Sequence, residues 1–213
     1  MKLANIGIYI KNHKYYAGMD KNKQHAILLK VFNEHARRSN WVSKVLVDDG
    51  MKVLWLARTG WMQSGVPATI AETVAQHTFI ASLIALNLFP KIRASGKAFN
   101  EAKVLKMILV HDIHEGLCGD LPKWVGERIN KRVLEEEAIS NMNLPEEIKM
   151  VLKEYTLMKS DEAKIARLAD LMATWRMAIY YKQLGYDVDD IVRSSQIELM
   201  KLAKELGLVV EDL

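Results

Sequence analysis

Met107-Ile-Leu-Val-His-Asp-Ile-His-Glu-Gly-Leu-Cys-Gly-Asp120 is where an apolar run abruptly delivers His111, Asp112 and Glu115 together. The run reads as the end of a buried helix. Asn100 is placed to cap its first turn, Glu101 follows where negative charge suits the helix dipole, and nearly every residue from Val104 to Val110 is apolar. An imidazole and a carboxylate side by side at the end of such a helix are costly to desolvate unless positive charge meets them, and a divalent cation supplies it. His111 and Glu115 are four residues apart and Asp112 and Glu115 three, so all three project from neighbouring positions. Gly116 and Gly119 let the chain leave the helix and return Asp120 toward the same pocket. For a bare His-Asp pair, a solvated helix C-terminus is the better reading, so a second half-site elsewhere has to decide.

With 213 residues, half of them hydrophobic, the chain is long enough for one sizeable core or one core plus a small appendage and is of the soluble globular class. Cys118 is the only cysteine, which excludes an intramolecular disulfide and fits a reducing, cytoplasmic setting. The apolar start Met1 to Ile10 is broken by Asn5 and followed by Lys11, Asn12, His13 and Lys14 without a small-residue cleavage site, so no signal peptide is expected. Phe79 to Phe89 contains Ser82 and Asn87 and is shorter than a bilayer requires; it is expected to be a core helix, and no membrane partner is expected.

The net charge of +4 is uneven: residues 1–50 hold nine Lys or Arg against four Asp or Glu, leaving about −1 for the rest. Residues 1–50 are therefore set apart as a basic N-terminal extension, and 51–213 as the body. Within the extension Ile27, Leu28, Val31 and Phe32 predict a helix from about Gln24 to Arg38. A solvated basic helix docked on the body is preferred to a nucleic-acid-binding arm built from Lys21, Lys23, Lys30, Arg37, Arg38 and Trp41. A further reading takes Met51 as the natural start.

From Met51 onward, Val53 to Met62 predicts a helix interrupted around Gly60, with Arg58 and Trp61 on a shared face. An arginine offers the fork that phosphate oxygens match and a tryptophan a flat wall for a sugar or base; a surface arginine covering a core tryptophan is an equal reading of the pair alone. Thr69-Ile-Ala-Glu72 reads as a capping box for the next helix, whose stripe Val74, His77, Ala81, Ile84, Ala85 and Leu88 turns His77 inward, and Pro90 is expected to end it. After Pro122 a charged outer helix is expected through Glu137. Pro145 opens another, and Ser160 with Asp161 and Glu162 a third that Gly185 closes. Asp187 is expected to cap the last helix and Gly207 to end it. Asp170 sits among apolar neighbours in Ile165 to Trp175, and a buried carboxylate there needs a partner such as a metal, an arginine or a helix N-terminus. No strand pattern or repeat is present, so the fold class is all-α.

Three separate signals thus coincide: His77, His111 with Asp112, and Asp170. Two imidazoles and two carboxylates suit a six-coordinate Mn, Co, Fe or Mg ion, whereas closed zinc sites favour thiolates. The order His, then His-Asp, then Asp on helices, spanning roughly Leu54 to Leu202, resembles the HD-domain metal-dependent phosphohydrolases. More narrowly, Arg58-Thr-Gly-Trp61, Ala71 to His77, His111 to Glu115 with Gly119-Asp-Leu-Pro122, and Leu168-Ala-Asp170 resemble the HD-domain 5'-deoxynucleotidases.

The resemblance implies an HD-domain helical bundle in which His77, His111, Asp112 and Asp170 bind one divalent metal (Co, Mn, Mg or Fe) and Glu115 is the catalytic carboxylate. It further implies that Arg58 holds a 5'-phosphate, Trp61 lies against the sugar where a 2'-hydroxyl would intrude, and Asp120 bonds the 3'-hydroxyl. The expected substrate is a deoxyribonucleoside 5'-monophosphate, preferred to the ribo form, and by analogy the chain is expected to be a homodimer. Lys153-Glu-Tyr155 resembles a stretch lining the nucleotide pocket. His114 is an extra imidazole that a second metal would want, but its spacing from His111 and Glu115 is compatible with facing solvent, so a single metal is favoured. Gly116 after Glu115 argues against alarmone hydrolases, and Gly185-Tyr-Asp187 against the cyclic-dinucleotide branch. The alternatives are hydrolysis of another nucleotide or small phosphate ester, and a non-catalytic metal-bound nucleotide sensor.

Overall fold

The computed structural model describes residues 46–208 together with Asp20, Lys23, Ala26 and Lys30. Lys23, Ala26 and Lys30 are helical; the remainder of the helix expected over residues 24–38, and Lys21, Arg37, Arg38 and Trp41, lie outside the described residues. The chain divides into Met1–Ser43 and Lys44–Leu213. The compositional boundary after residue 50 falls inside the first helix of the second unit, Leu46–Val53.

Among the described residues this unit is built of helices: α1 Leu46–Val53, α2 Thr59–Gln63, α3 Val74–Ala94, α4 Glu101–Val110, α5 Glu115–Cys118, α6 Lys123–Gly126, α7 Lys131–Asn141, α8 Glu146–Leu157, α9 Asp161–Gln183 and α10 Asp189–Glu205. No strand forms among them; the extended pairing present is an isolated antiparallel bridge between Ala57 and Thr73. None of these helices is long and apolar enough to cross a membrane.

The bundle is organised around α9, which packs against α3, α4, α8 and α10. Ser160 caps it by accepting from the Ala163 N–H, and alanines at 163, 166, 169 and 173 let the neighbouring helices approach a surface that is buried on several sides. The inner stripe of α3 supplies Ala81, Ile84, Ala85, Leu88 and Ile92 to the same core, and α4 adds Val104, Met107 and Ile108. Each such buried branched side chain contributes roughly 1.5–3 kcal/mol relative to exposure. A second, smaller cluster gathers Trp61, Val66, Ala71, Ala178, Tyr181 and Val188.

Several local expectations are corrected. The interruption after α1 falls between Leu54 and Arg58, and Gly60 lies inside α2, whose N-cap position is Arg58 in extended backbone. The capping box of α3 is Thr73 with Gln76, not Thr69 with Glu72. The bridge holds residues 72 and 73 extended, and the Glu72 side chain is drawn into the interior, so the helix can start only after Thr73. Pro90 does not end α3, which runs on to Ala94. Pro90 and Leu86 are both exposed, so the Leu86 carbonyl that loses its N–H partner faces water, while Phe89 and Ile92 remain buried and offset the penalty. The charged segment after Pro122 splits into α6 and α7, the latter capped by Asn130 accepting from the Val133 N–H. Val188, buried beside Trp61, takes the N-cap position of α10 in place of Asp187.

Candidate active site

His77 lies in the first turn of α3, where Thr73 fixes the start of the helix and the inward stripe makes the imidazole fully buried. Its Nε2 is 2.8 Å from Asp170 Oδ1, in the middle of α9. His111 occupies the C-cap position of α4 and directs Nδ1 at the Ile108 carbonyl, 2.7 Å away, which points Nε2 at the carboxylates. That Nε2 is 3.8 Å from Asp170 Oδ1 and 3.1 Å from Asp112 Oδ2. One donor atom each from His77, His111 and Asp170 lie within 4.8 Å of one another. Asp112 stands beside this group, its Oδ2 also 3.3 Å from Arg58 Nη1.

The donor set fits a divalent ion. His111 Nε2 is buried without a hydrogen-bond partner, while its other nitrogen is engaged by a carbonyl. In His77 the inward Nε2 is paired with Asp170 Oδ1, and the far Nδ1 has no hydrogen-bond partner, with Glu72 Oε1 standing 3.5 Å behind it. Imidazoles that ligate metals are oriented in this way, with an acceptor behind the far nitrogen. Electrostatics agree. Burial pushes the Asp170 carboxyl up, but Arg167 and the two imidazoles hold it well below the usual range. Burial likewise opposes ionisation of Asp112, and His111 with Arg58 still keeps it low. Burial lowers the Arg58 pKa, whereas Asp112, Asp170, Glu72 and Glu115 raise it further, so this guanidinium stays charged.

Glu115 opens α5 and is 8% exposed, with Oε2 lacking any partner. Burial, then the Asp112 and Asp120 carboxylates, push its pKa up to about 9. Gly116 follows it because α1 packs there: a Cβ would stand 3.1 Å from the Asp49 carbonyl oxygen and 3.2 Å from Lys52 Cβ. Gly119, at φ +80°, then reverses the chain. Asp120 consequently meets α2, its carboxylate accepting the Thr59 N–H and its carbonyl accepting the Thr59 hydroxyl at 2.6 Å.

Arg58, Trp61, Asp112, Glu115, Asp120 and Asp170 share the lining of one cleft of about 490 Å³. Trp61 is only 1% exposed: it stacks edge-on against Tyr181 at 5.1 Å and donates Nε1–H to Glu72 at 3.0 Å. It is therefore a core tryptophan with one edge on the cleft. His114 does not face solvent; it is buried, with Nε2 3.6 Å from Glu135 of α7 and away from the three-residue group. Sequence reasoning missed Glu72, which links Trp61 to His77, and Arg167, which donates to Asp170 Oδ2 at 2.7 Å. The three-residue spacing of Arg167 and Asp170 was the available signal; nothing in the sequence ties Glu72 to Trp61. Tyr155 also donates to Asp170 Oδ2, at 3.1 Å, and lies against His111.

An all-helical bundle that converges a histidine, a His-Asp pair and a distant aspartate defines a class of site, and a family match gives it its name. The chain belongs to the HD-domain family, whose pattern matches residues 55–206. It is 28% identical over 151 residues to the protein named 5'-deoxynucleotidase HDDC2 from Dictyostelium discoideum, covering 67% of this chain and 78% of that one. It is 27% identical over 134 residues to the Danio rerio protein of the same name, covering 60% and 63%. Among solved structures it resembles a conserved hypothetical protein from Pyrococcus furiosus, with a TM-score of 0.69, 25% identity and coverage of 76% and 92%.

Proposed function

We propose that this HD-domain chain is a metal-dependent phosphohydrolase that removes the 5'-phosphate from deoxyribonucleoside 5'-monophosphates. The observation that carries the reading is the clustering of His77, His111 and Asp170 donor atoms, with Asp112 adjacent, at one end of a cleft whose wall holds a partnerless Glu115. The relatives named as 5'-deoxynucleotidases support the substrate class.

His77, His111, Asp112 and Asp170 would hold the ion, with Co, Mn, Mg or Fe matching the mixed nitrogen and oxygen set. When bound, a divalent ion neutralises charge on phosphoryl oxygens and makes water more acidic. Arg58 holds the phosphate through its planar fork. Glu115 takes the proton of the attacking water and returns a proton to the departing 5'-oxygen, so that the P–O5' bond breaks to give inorganic phosphate and a nucleoside. Its environment suits both halves: burial and neighbouring carboxylates favour the protonated form, and the positive charges of Arg58 and His111 favour the ionised one. Asp120 accepts the 3'-hydroxyl, and the edge of Trp61 that lines the cleft meets the sugar face that a 2'-hydroxyl would crowd.

The reading includes a homodimer. Phe79, Leu83 and Leu86 leave an apolar stripe exposed on α3, beside Trp55 and Tyr180, of the kind that two-fold interfaces bury. Light scattering on the purified protein tests it. The activity is tested by phosphate release from a panel of deoxy- and ribonucleoside monophosphates, nucleoside triphosphates and sugar phosphates, with each metal and with chelator. Turnover confined to triphosphates or sugar phosphates would replace the proposed substrate. Metal and nucleotide binding without turnover would leave a sensor.

A further inference from the structure

Asp170 divides its two oxygens between two environments. Oδ1 faces the imidazoles, 2.8 Å from His77 Nε2 and 3.8 Å from His111 Nε2. Oδ2 accepts from Arg167 Nη1 at 2.7 Å and from the Tyr155 hydroxyl at 3.1 Å. Arg167 is in turn held from another helix: Glu198 of α10 accepts from its Nε at 3.2 Å and from its Nη2 at 2.9 Å. A guanidinium is planar with five N–H groups in a fixed fork, so fastening the Nε and Nη2 edge to Glu198 determines where Nη1 points.

We infer that Arg167, anchored by Glu198, is a positioning residue that occupies the outer oxygen of Asp170 and leaves Oδ1 alone to face the ion. The inference rests on the metal-binding reading above. It assigns work to a pair that otherwise looks like a partly exposed ion pair joining α9 to α10, and such a pair by itself is worth little. A chain from α10 through Glu198 and Arg167 to Asp170 also couples the docking of α10 to the ion. By linkage, whatever the clamp adds to ion affinity, the ion returns as protection of α10.

The test uses the full chain, with Mn2+ alone as the probe. Calorimetric titration should show Arg167→Met binding Mn2+ about 10- to 100-fold more weakly, the range typical of lost outer-shell partners. Arg167→Lys should fall between it and the parent, and Glu198→Gln should lose affinity in the same direction. At saturating Mn2+ these variants should regain phosphate release; a defect that persists with the site filled would show that Arg167 and Glu198, which also line the cleft, act on substrate, and would overturn a role confined to the ion. Amide exchange across residues 189–205 should slow on adding Mn2+ to the parent and slow less in Glu198→Gln. Should Arg167→Met not fold, the near-isosteric Glu198→Gln decides by itself. Parent-like Mn2+ affinity in folded variants whose thermal midpoint has dropped would show that the pair only docks α10, and would overturn the clamp alone. A parent protein that takes up no Mn2+ would overturn the clamp and the metal reading together.

Discussion

Replacing Glu115 by Gln should make the metal-stripped protein more stable while removing its activity. The carboxyl is buried, has an oxygen without a partner, and has its pKa raised from 4.5 to about 9 by burial and by Asp112 and Asp120. For a group whose folded pKa exceeds its unfolded one, the associated stability is complete below pH 4.5 and is lost as the pH climbs toward 9. At pH 7 the folded state still holds the proton that the unfolded state has released. Retaining it costs folding about 3 kcal/mol, at ~1.4 kcal/mol for each tenfold change in proton activity. Glutamine is a neutral near-isostere that escapes this penalty, although its amide brings N–H groups that the Oε2 side of the pocket does not satisfy. A net gain of about 1–2 kcal/mol is expected, or roughly 2–8 °C in thermal midpoint for a chain of this size. Urea unfolding in EDTA at pH 4, 5.5, 7 and 8 checks it: the Gln protein should be about 1–2 kcal/mol the less stable at pH 4, where only the amide cost remains, and should overtake its parent as pH rises. Excess Mn2+ should narrow the gap, because a cation beside the parent carboxyl favours its ionised form. Phosphate release should fall by about 10²- to 10⁴-fold, the usual yield of a general acid-base group. A Gln variant that is less stable than its parent at pH 7, or a difference that ignores pH, would refute the account of Glu115.

Three further outcomes follow from the same geometry. EDTA should abolish phosphate release and Mn2+ or Co2+ restore it, whereas His111→Ala and Asp170→Asn should resist rescue, with metal affinity by calorimetry lowered by more than the ~10- to 100-fold of outer-shell changes. Arg58→Met should raise KM about 10- to 100-fold, the scale of a lost charge-assisted hydrogen bond, and should show as weaker competition by inorganic phosphate. Trp61→Ala would open a cavity worth about 3–5 kcal/mol in a residue that is almost wholly buried, so Trp61→Phe is the informative change. It retains the packing on Tyr181, gives up the bond to Glu72, and should narrow the ratio of deoxy to ribo turnover; an unchanged ratio clears Trp61 of that duty.

What the sequence disclosed was governed by local periodicity. The stripe from Val74 to Leu88 placed His77 inward, Asn100 was legible as a cap, and Asp170 stood out as a carboxylate in apolar company; all three are realised. Elsewhere a distant partner decides the local outcome. Thr69 to Glu72 carries a sound capping pattern, yet the Trp61 indole and the bridge to Ala57 claim that segment first. Pro90 normally ends a helix, but here its deficit falls on the wet side of α3. His114 turns to Glu135, and Arg167 to Glu198, across gaps in sequence that no period marks.

The Ala57–Thr73 bridge is made of two hydrogen bonds, from the Arg58 N–H to the Glu72 carbonyl at 3.0 Å and from the Val74 N–H to the Leu56 carbonyl at 2.9 Å. It turns the intervening stretch into a tethered loop with fixed ends. Doubling such a loop changes its closure entropy by only about 0.6 kcal/mol. Insertions at the exposed positions of residues 67–70, clear of the buried Val66, are therefore tolerable, and they leave Arg58 in step with the first turn of α3. A lineage can vary this loop without disturbing the candidate cleft, whose lining takes Gly60 and Trp61 from this region and nothing from residues 62–70.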